Sequence, residues 1–344
     1  MHPLLDVLRS GIEEGLHSAA QAYISVNGTV VLDDCTGNVG PDSLMLWMSG
    51  GKPIAAVAAL QLVARGKTTL DTRVADVIPE FGANGKDAIT LRHLLTHTGG
   101  FRGPLNNFAP GGWDEIMARV YALKQEPGWV PGKKAGYHIG SSWFVLGELV
   151  RRIDGRSIDV YVRDEIFTPL GVEAYIGMSE STRDELLPRF VTMWETHKKP
   201  PTDQWPGNAP DAITVPRPGA NARGPIRSLA KVYESLLFDE RLLPREWANA
   251  MTSPQRVGML DATFKTTLDW GFGVMIDSKK YNGEHPYGYG PSASERSFGH
   301  SGNQSSCAFA DPERGLVVAW CTNGMPGEEK HQARQRAANA AAYL

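Results

Sequence analysis

Leu46-Trp47-Met48-Ser49-Gly50-Gly51-Lys52-Pro53-Ile54-Ala55-Ala56-Val57-Ala58-Ala59-Leu60-Gln61-Leu62-Val63-Ala64 organises the reading of the whole chain. From Pro53 to Ala64 the residues are apolar on nearly every side, and Gly66 follows. That pattern predicts a buried helix with a glycine stop. Ser49 and Lys52 stand at its mouth, three residues apart, so a helical backbone puts them on one face. A serine hydroxyl is a weak nucleophile until a base takes its proton. A desolvated lysine has a lowered pKa and can be that base near neutrality. The helix N-terminus adds a favourable dipole and free N–H groups for developing negative charge. Ser-x-x-Lys is a short pattern, and the chain holds a second copy, Ser228-Leu229-Ala230-Lys231. That copy follows Arg227 in a helix of mixed polarity, where a serine is normally a cap or a solvated residue. Context therefore selects Ser49 and Lys52.

Outward from this helix, Leu4, Leu5, Leu8, Ile12 and Leu16 have helical spacing. Gln21–Val26 and Thr29–Asp33 read as strands joined by Asn27-Gly28, a strong hairpin signal. Helical text runs through Leu91–Leu95, Trp113–Leu123, Ser142–Ile153 and Ile158–Ile166. Pro200–Pro218 reads as a long loop, and Arg227–Leu237 as a helix. Strand-like text returns at Gly271–Ile276, Ser305–Phe309 and Leu316–Cys321, and a helix covers Glu328–Leu344. We expect an α/β (α+β) fold. An antiparallel sheet domain would be built from residues 1–65 and 215–344, with a mainly helical domain, 66–214, inserted between. No internal repeat or low-complexity segment is present.

Composition removes several function classes. The 344 residues are 42% apolar and 21% charged, with a net charge of -3, so there is no basic surplus for nucleic acid or an anionic membrane. The N-terminus lacks a basic region followed by a long apolar run, which predicts no secretory signal and no transmembrane helix. Cys35, Cys307 and Cys321 match neither a zinc spacing nor a CxxC motif, so reduced thiols and a cytoplasmic location are expected. No cofactor is implied.

Two further elements carry chemistry. In Pro131-Gly132-Lys133-Lys134-Ala135-Gly136-Tyr137-His138-Ile139-Gly140-Ser141-Ser142, a turn presents a tyrosine just before a helix. Adjacent lysine charge can lower a phenol's pKa and let it relay protons. In Ser297-Phe298-Gly299-His300-Ser301-Gly302-Asn303, small residues let a substrate approach the backbone closely, whose N–H groups can bind an oxyanion.

These three elements, in this order, resemble the serine β-lactamase and penicillin-binding-protein superfamily. The likeness is to the class C β-lactamase-like group with its family VIII carboxylesterases, D-aminopeptidases and transacylases. It extends to Ile89-Thr90-Leu91-Arg92-His93-Leu94-Leu95-Thr96-His97-Thr98-Gly99-Gly100, to Pro169-Leu170-Gly171 and to Phe309-Ala310-Asp311-Pro312-Glu313-Arg314-Gly315. The resemblance implies a β-lactamase/DD-peptidase-like fold and an acyl-Ser49 intermediate. Lys52 and Tyr137 would share the acid and base work, and the N–H groups of Ser49 and Asn303 would form the oxyanion hole. His300, Ser301 and Gly302 would line the substrate strand. One departure stands out. The group's β-lactamases usually have Tyr-x-Asn, and here Ile139 occupies the third position, with no side-chain hydrogen bond to offer an acylamido group.

The expectation is a serine hydrolase or acyltransferase for a small-molecule ester or amide, with water or a second acyl acceptor. An esterase or transacylase is favoured over an efficient β-lactamase or D-peptidase, and over a silent binding module. His93 and His97 have a metal-compatible spacing without the glutamate of a zinc protease, and no metal is expected. Gly299-His300-Ser301-Gly302-Asn303 nearly copies a nucleophile elbow, but lacks its last glycine and a preceding βα series. Trp194, Trp205 and Trp270 are candidates for the cleft wall.

Overall fold

Along Ala19–Val26 successive side chains enter two different apolar cores. Ala20, Ala22 and Ile24 join one, and Tyr23 the other. Leu316–Thr322 repeats this, with Leu316, Val318 and Trp320 on the first side and Val317, Ala319 and Cys321 on the second. A period of two with both faces apolar means a sheet covered on both sides. The computed structural model describes residues 2–103, 105, 107–283 and 285–344.

Among the described residues ten strands follow one another: β1 (Ala19–Val26), β2 (Thr29–Gly37), β3 (Met45–Leu46), β4 (Arg223–Gly224), β5 (Arg256–Asp261), β6 (Thr266–Trp270), β7 (Met275–Ile276), β8 (Phe298–Gly302), β9 (Ser306–Asp311) and β10 (Leu316–Thr322). Eight form one antiparallel sheet in the order β2-β1-β10-β9-β8-β7-β6-β5, and β3 pairs with β4 separately. Asn27 and Gly28, both at positive φ (50° and 78°), make the β1–β2 turn. The N-terminal helix Pro3–Glu13 and the C-terminal helix Glu328–Ala341 cover one face. Ile226–Phe238 and the helix Lys52–Ala64 lie on the other, backed by Ser141–Asp154. The long sheet thus draws its strands from residues 19–37 and 256–322, and mostly helical text lies between. Among the described residues no helix is long and apolar enough to cross a membrane.

Two expectations need correcting. Gly271–Ile276 is a strand only at Met275–Ile276, and the real neighbours β5 and β6 were not foreseen. Their sequences carry Arg256, Asp261 and Asp269, all buried, so no apolar alternation marks them. Pro200–Pro218 is not uniformly loop. It holds short helical turns at Pro206–Asn208 and Pro210–Thr214, each begun by a proline whose missing N–H costs nothing there.

A buried polar knot ties the sheet to the helix Ile226–Phe238. Tyr23 and Ser25 both donate to Glu234 Oε1 at 2.7 Å, and Lys231 donates to Oε2 at 2.6 Å. Removing the acceptor leaves two buried hydroxyls without a partner. Glu234→Ala should therefore lower stability by about 2–4 kcal/mol in urea unfolding.

Candidate active site

The helix Lys52–Ala64 is entered through a 3-10 turn, Met48–Gly51, and Ser49 lies in that turn. Met48 precedes it at φ 50°, a left-handed conformation that costs a non-glycine residue about 1–2 kcal/mol. The turn is held to the sheet by Ser306, whose hydroxyl donates to Trp47 O at 2.6 Å. Gly302 passes beneath it. A Cβ there would lie 2.3 Å from Ser306 Oγ and 2.4 Å from Trp47 O, so this strand position admits only glycine.

Lys52 has no exposed surface. Its Nζ donates to Ser49 Oγ at 2.7 Å and to Gly219 O at 2.5 Å. It lies 5.3 Å from the centre of the Tyr137 ring and 5.5 Å from that of Trp143. Burial alone drives its pKa well below the usual lysine value. Gly219 is presented by a turn that Asn221 holds: its Oδ1 accepts from Arg217 N at 2.9 Å, and its Nδ2 donates to Ala212 O and Val215 O.

Tyr137 lies in an irregular segment before the helix Ser141–Asp154. Its phenol borders the same cavity as Ser49, whose hydroxyl acts on its pKa. The expected lowering of its pKa is reversed. Burial pushes the phenol up, the Ser49 hydroxyl pulls it down, and the charge of Asp261 raises it again. Lys133 and Lys134 are exposed, with Lys134 Nζ donating to Gly128 O at 2.7 Å, and neither contributes to the shift. His97 packs against the Tyr137 ring with centroids 4.8 Å apart, and its Nδ1 accepts from His138 N at 3.0 Å. His138 Nε2 in turn accepts from Gly100 N and Phe101 N. The Thr-His-Thr-Gly-Gly stretch is thus the platform under the tyrosine. His93, by contrast, bonds Thr90.

His300 Nδ1 lies 2.8 Å from its neighbour's carbonyl, Ser301 O, which fixes the proton on Nδ1 and leaves Nε2 as an acceptor. That Nε2 has no partner among the described residues. Burial, and then Lys52, lower the His300 pKa to about 3. The Ser301 side chain faces away from Ser49 and receives a bond from Gln335 Nε2 at 3.0 Å. The backbone N–H groups of Ser49 and Asn303 have no acceptor among the described residues.

Ser49, Tyr137, His300, Ser301 and Asn303 border one cavity of about 430 Å³, with Ile139 at its rim, 54% exposed. Met48, Phe108 and Trp205 line one side, and Phe264, Trp270, Met275 and Tyr287 another. Trp205 and Trp270 are wall residues as expected, whereas Trp194 borders a different groove beside Val39 and Phe190. In the second Ser-x-x-Lys, Lys231 is engaged by Glu234. Sequence reading missed Gly219, Trp143, Asp261, Thr263 and Phe264. Gly219 contributes only a carbonyl, which no residue type announces, and the other four are ordinary until the chain folds.

A family described as Beta-lactamase matches residues 6–343. "Penicillin-binding protein 4" of Amycolatopsis lactamdurans is 29% identical over 83% of this chain and 74% of its own length. "Esterase/beta-lactamase LipL" of Mycobacterium tuberculosis is 24% identical over 82% and 70%. The crystal structure of a penicillin-binding-protein homologue from Caulobacter crescentus superposes with a TM-score of 0.80, at 27% identity, covering 99% of this chain and 96% of that one.

Burial also makes the site acid-sensitive. His17, His300 and His331 are lowered to about 3 and His138 to about 4, burial being the first cause in each. In the unfolded chain each binds a proton below about pH 6.5, and in the folded chain it does not. Stability is therefore intact above 6.5 and falls as pH drops toward 4, by about 1.4 kcal/mol per unit for each histidine. The thermal unfolding midpoint should drop steadily from pH 7 to pH 5; a flat profile would contradict neutral burial.

Proposed function

The chain belongs to the beta-lactamase family, and we propose that it cleaves or transfers the acyl group of a neutral, apolar small-molecule ester through acyl-Ser49. The observation that carries this is Lys52, a buried amine held 2.7 Å from Ser49 Oγ with no carboxylate partner among the described residues. A lysine whose pKa burial lowers can take the Ser49 proton as Oγ attacks the ester carbon. The free N–H groups of Ser49 and Asn303 support an oxyanion hole for the tetrahedral intermediate. The raised pKa of Tyr137 supports a protonated phenol, which passes its proton to the departing oxygen and recovers one from Lys52, which holds the proton taken from Ser49. His300, neutral and with Nε2 as an acceptor, orients a hydroxyl at this end of the cavity. Water or a second alcohol then attacks the acyl-enzyme by the reverse route.

The cavity wall supports the substrate class. No described side chain lining it carries a formal charge. A substrate with a free carboxylate would therefore give up its hydration without a cationic partner. Ile139 in place of an amide leaves an acylamido group unmatched. Since the phenol must reach the leaving oxygen, the alcohol part lies against Phe264, Trp270 and Tyr287. The acyl part lies against Met48, Phe108 and Trp205. The free thiols of Cys35, Cys307 and Cys321 support a reducing, cytoplasmic location.

A fluorophosphonate probe should label the protein at Ser49, read by peptide mass spectrometry. Ser49→Ala should lose the label and lower ester turnover by about 10³-fold or more, whereas Ser228→Ala should keep both. Neutral nitrophenyl esters should be turned over far faster than carboxylate-bearing β-lactams; equal rates would overturn the substrate class.

A further inference from the structure

We infer that Asp261 is a positioning residue for Tyr137: from the end of β5, its buried carboxylate and the nearby Thr263 hydroxyl clamp the peptide units on both sides of the phenol-bearing residue. The inference rests on the acyl-Ser49 reading above.

Tyr137 sits in irregular backbone and has no strand ladder to hold it. On one side the platform carries its neighbours, with Gly136 N donating to His97 O at 3.0 Å and His138 N to His97 Nδ1 at 3.0 Å. The Tyr137 peptide units themselves are held from the β5–β6 hairpin. Tyr137 N donates to Asp261 Oδ1 at 3.1 Å, and Thr263 Oγ1 donates to Tyr137 O at 3.0 Å. Ala262 N donates to Ala135 O at 2.9 Å just upstream. The same Oδ1 accepts from Thr263 N at 2.9 Å and Phe264 N at 3.1 Å. One carboxylate oxygen therefore sets both the tyrosine segment and the turn that lays Phe264 against its ring, with centroids 5.0 Å apart.

The other oxygen, Oδ2, lies 3.1 Å from Arg256 Nη2, and neither side chain of this pair is more than 1% exposed. Three N–H donors and a guanidinium offset the cost of burying the carboxylate. Arg256 also donates to Thr96 O at 3.2 Å and lies over the Trp270 ring at 5.3 Å. The ion pair so joins platform, hairpin and tyrosine segment, while nothing in it is bonded to Ser49 or Lys52. Its effect on turnover passes through the phenol. Around that phenol stand Lys52, His97, His300 and Tyr287, with Asp261 behind the backbone.

The test compares full-length wild type, Asp261→Asn, Thr263→Val and Ser49→Ala on nitrophenyl butyrate across pH. Asp261→Asn should lower kcat roughly tenfold or more with KM within about twofold, since a sub-ångström displacement of a catalytic group acts on turnover. A loss confined to kcat at nearly constant KM is a change that mere loosening of the fold does not produce. Thr263→Val should lower kcat by about threefold or more at similar KM, as the hydroxyl's bonds to Tyr137 O and from Arg102 Nη1 are both lost. A folded Asp261→Asn enzyme with wild-type kcat, or with a change confined to KM, overturns the inference. If that variant does not fold, unchanged kcat in Thr263→Val overturns it. Activity surviving in Ser49→Ala sinks the acyl-enzyme reading instead, so the two failures are distinct.

Discussion

A lysine amine taken wholly out of water, with no anion beside it among the described residues, is the constraint on which the site depends. Burying an ammonium in a low-dielectric interior is so costly that the group gives up its proton. Lys52 is surrounded accordingly by a carbonyl, a hydroxyl and two aromatic rings. Lys231 shows the alternative. It occupies the same place in a Ser-x-x-Lys pattern and is partly buried, which pulls it down, yet its bond to Glu234 raises it. One carboxylate within reach separates a permanent cation from a usable base.

That choice propagates to the neighbours. Burial keeps the Tyr137 phenol protonated, outweighing the pull of the Ser49 hydroxyl, with the charge of Asp261 acting in the same direction as burial. His300, which borders the same cavity, has a pKa lowered to about 3 and is neutral at pH 7. The residues around Ser49 therefore form a chain of neutral donors and acceptors, through which a proton can move without leaving a buried charge behind. Such a chain works only with its members at hydrogen-bonding distance, which is why so much of the surrounding structure serves to hold them.

The holding is done by the sheet. Its two apolar faces bury the terminal helices on one side and the serine-bearing helix on the other, so β8 passes directly beneath the Ser49 turn. Gly302 lets it do so, and Ser306 ties the two together. The structure accepts local costs in return: a left-handed Met48, several histidines kept neutral, and the buried Arg256–Asp261 pair. Strain and buried polarity gathered near a reactive group are the usual exchange of stability for function.

Local text was enough for a good part of this. The Asn27-Gly28 hairpin, the all-apolar helix after Ser49 and the terminal helices follow from turn chemistry and periodicity, which depend on neighbours in sequence. The same text marked Ser49, Lys52 and Tyr137 by their residue types and order. It did not mark β5 and β6, because their buried charges erase the alternation that makes a strand visible. Nor did it show the carbonyl of Gly219, the clamp from Asp261, or the direction of the Tyr137 shift. Those were decided only in three dimensions. A pKa depends on how much water and which charges surround a group, and in this protein the surroundings come from residues far off in sequence, such as Gly219 for Lys52 and Asp261 for Tyr137.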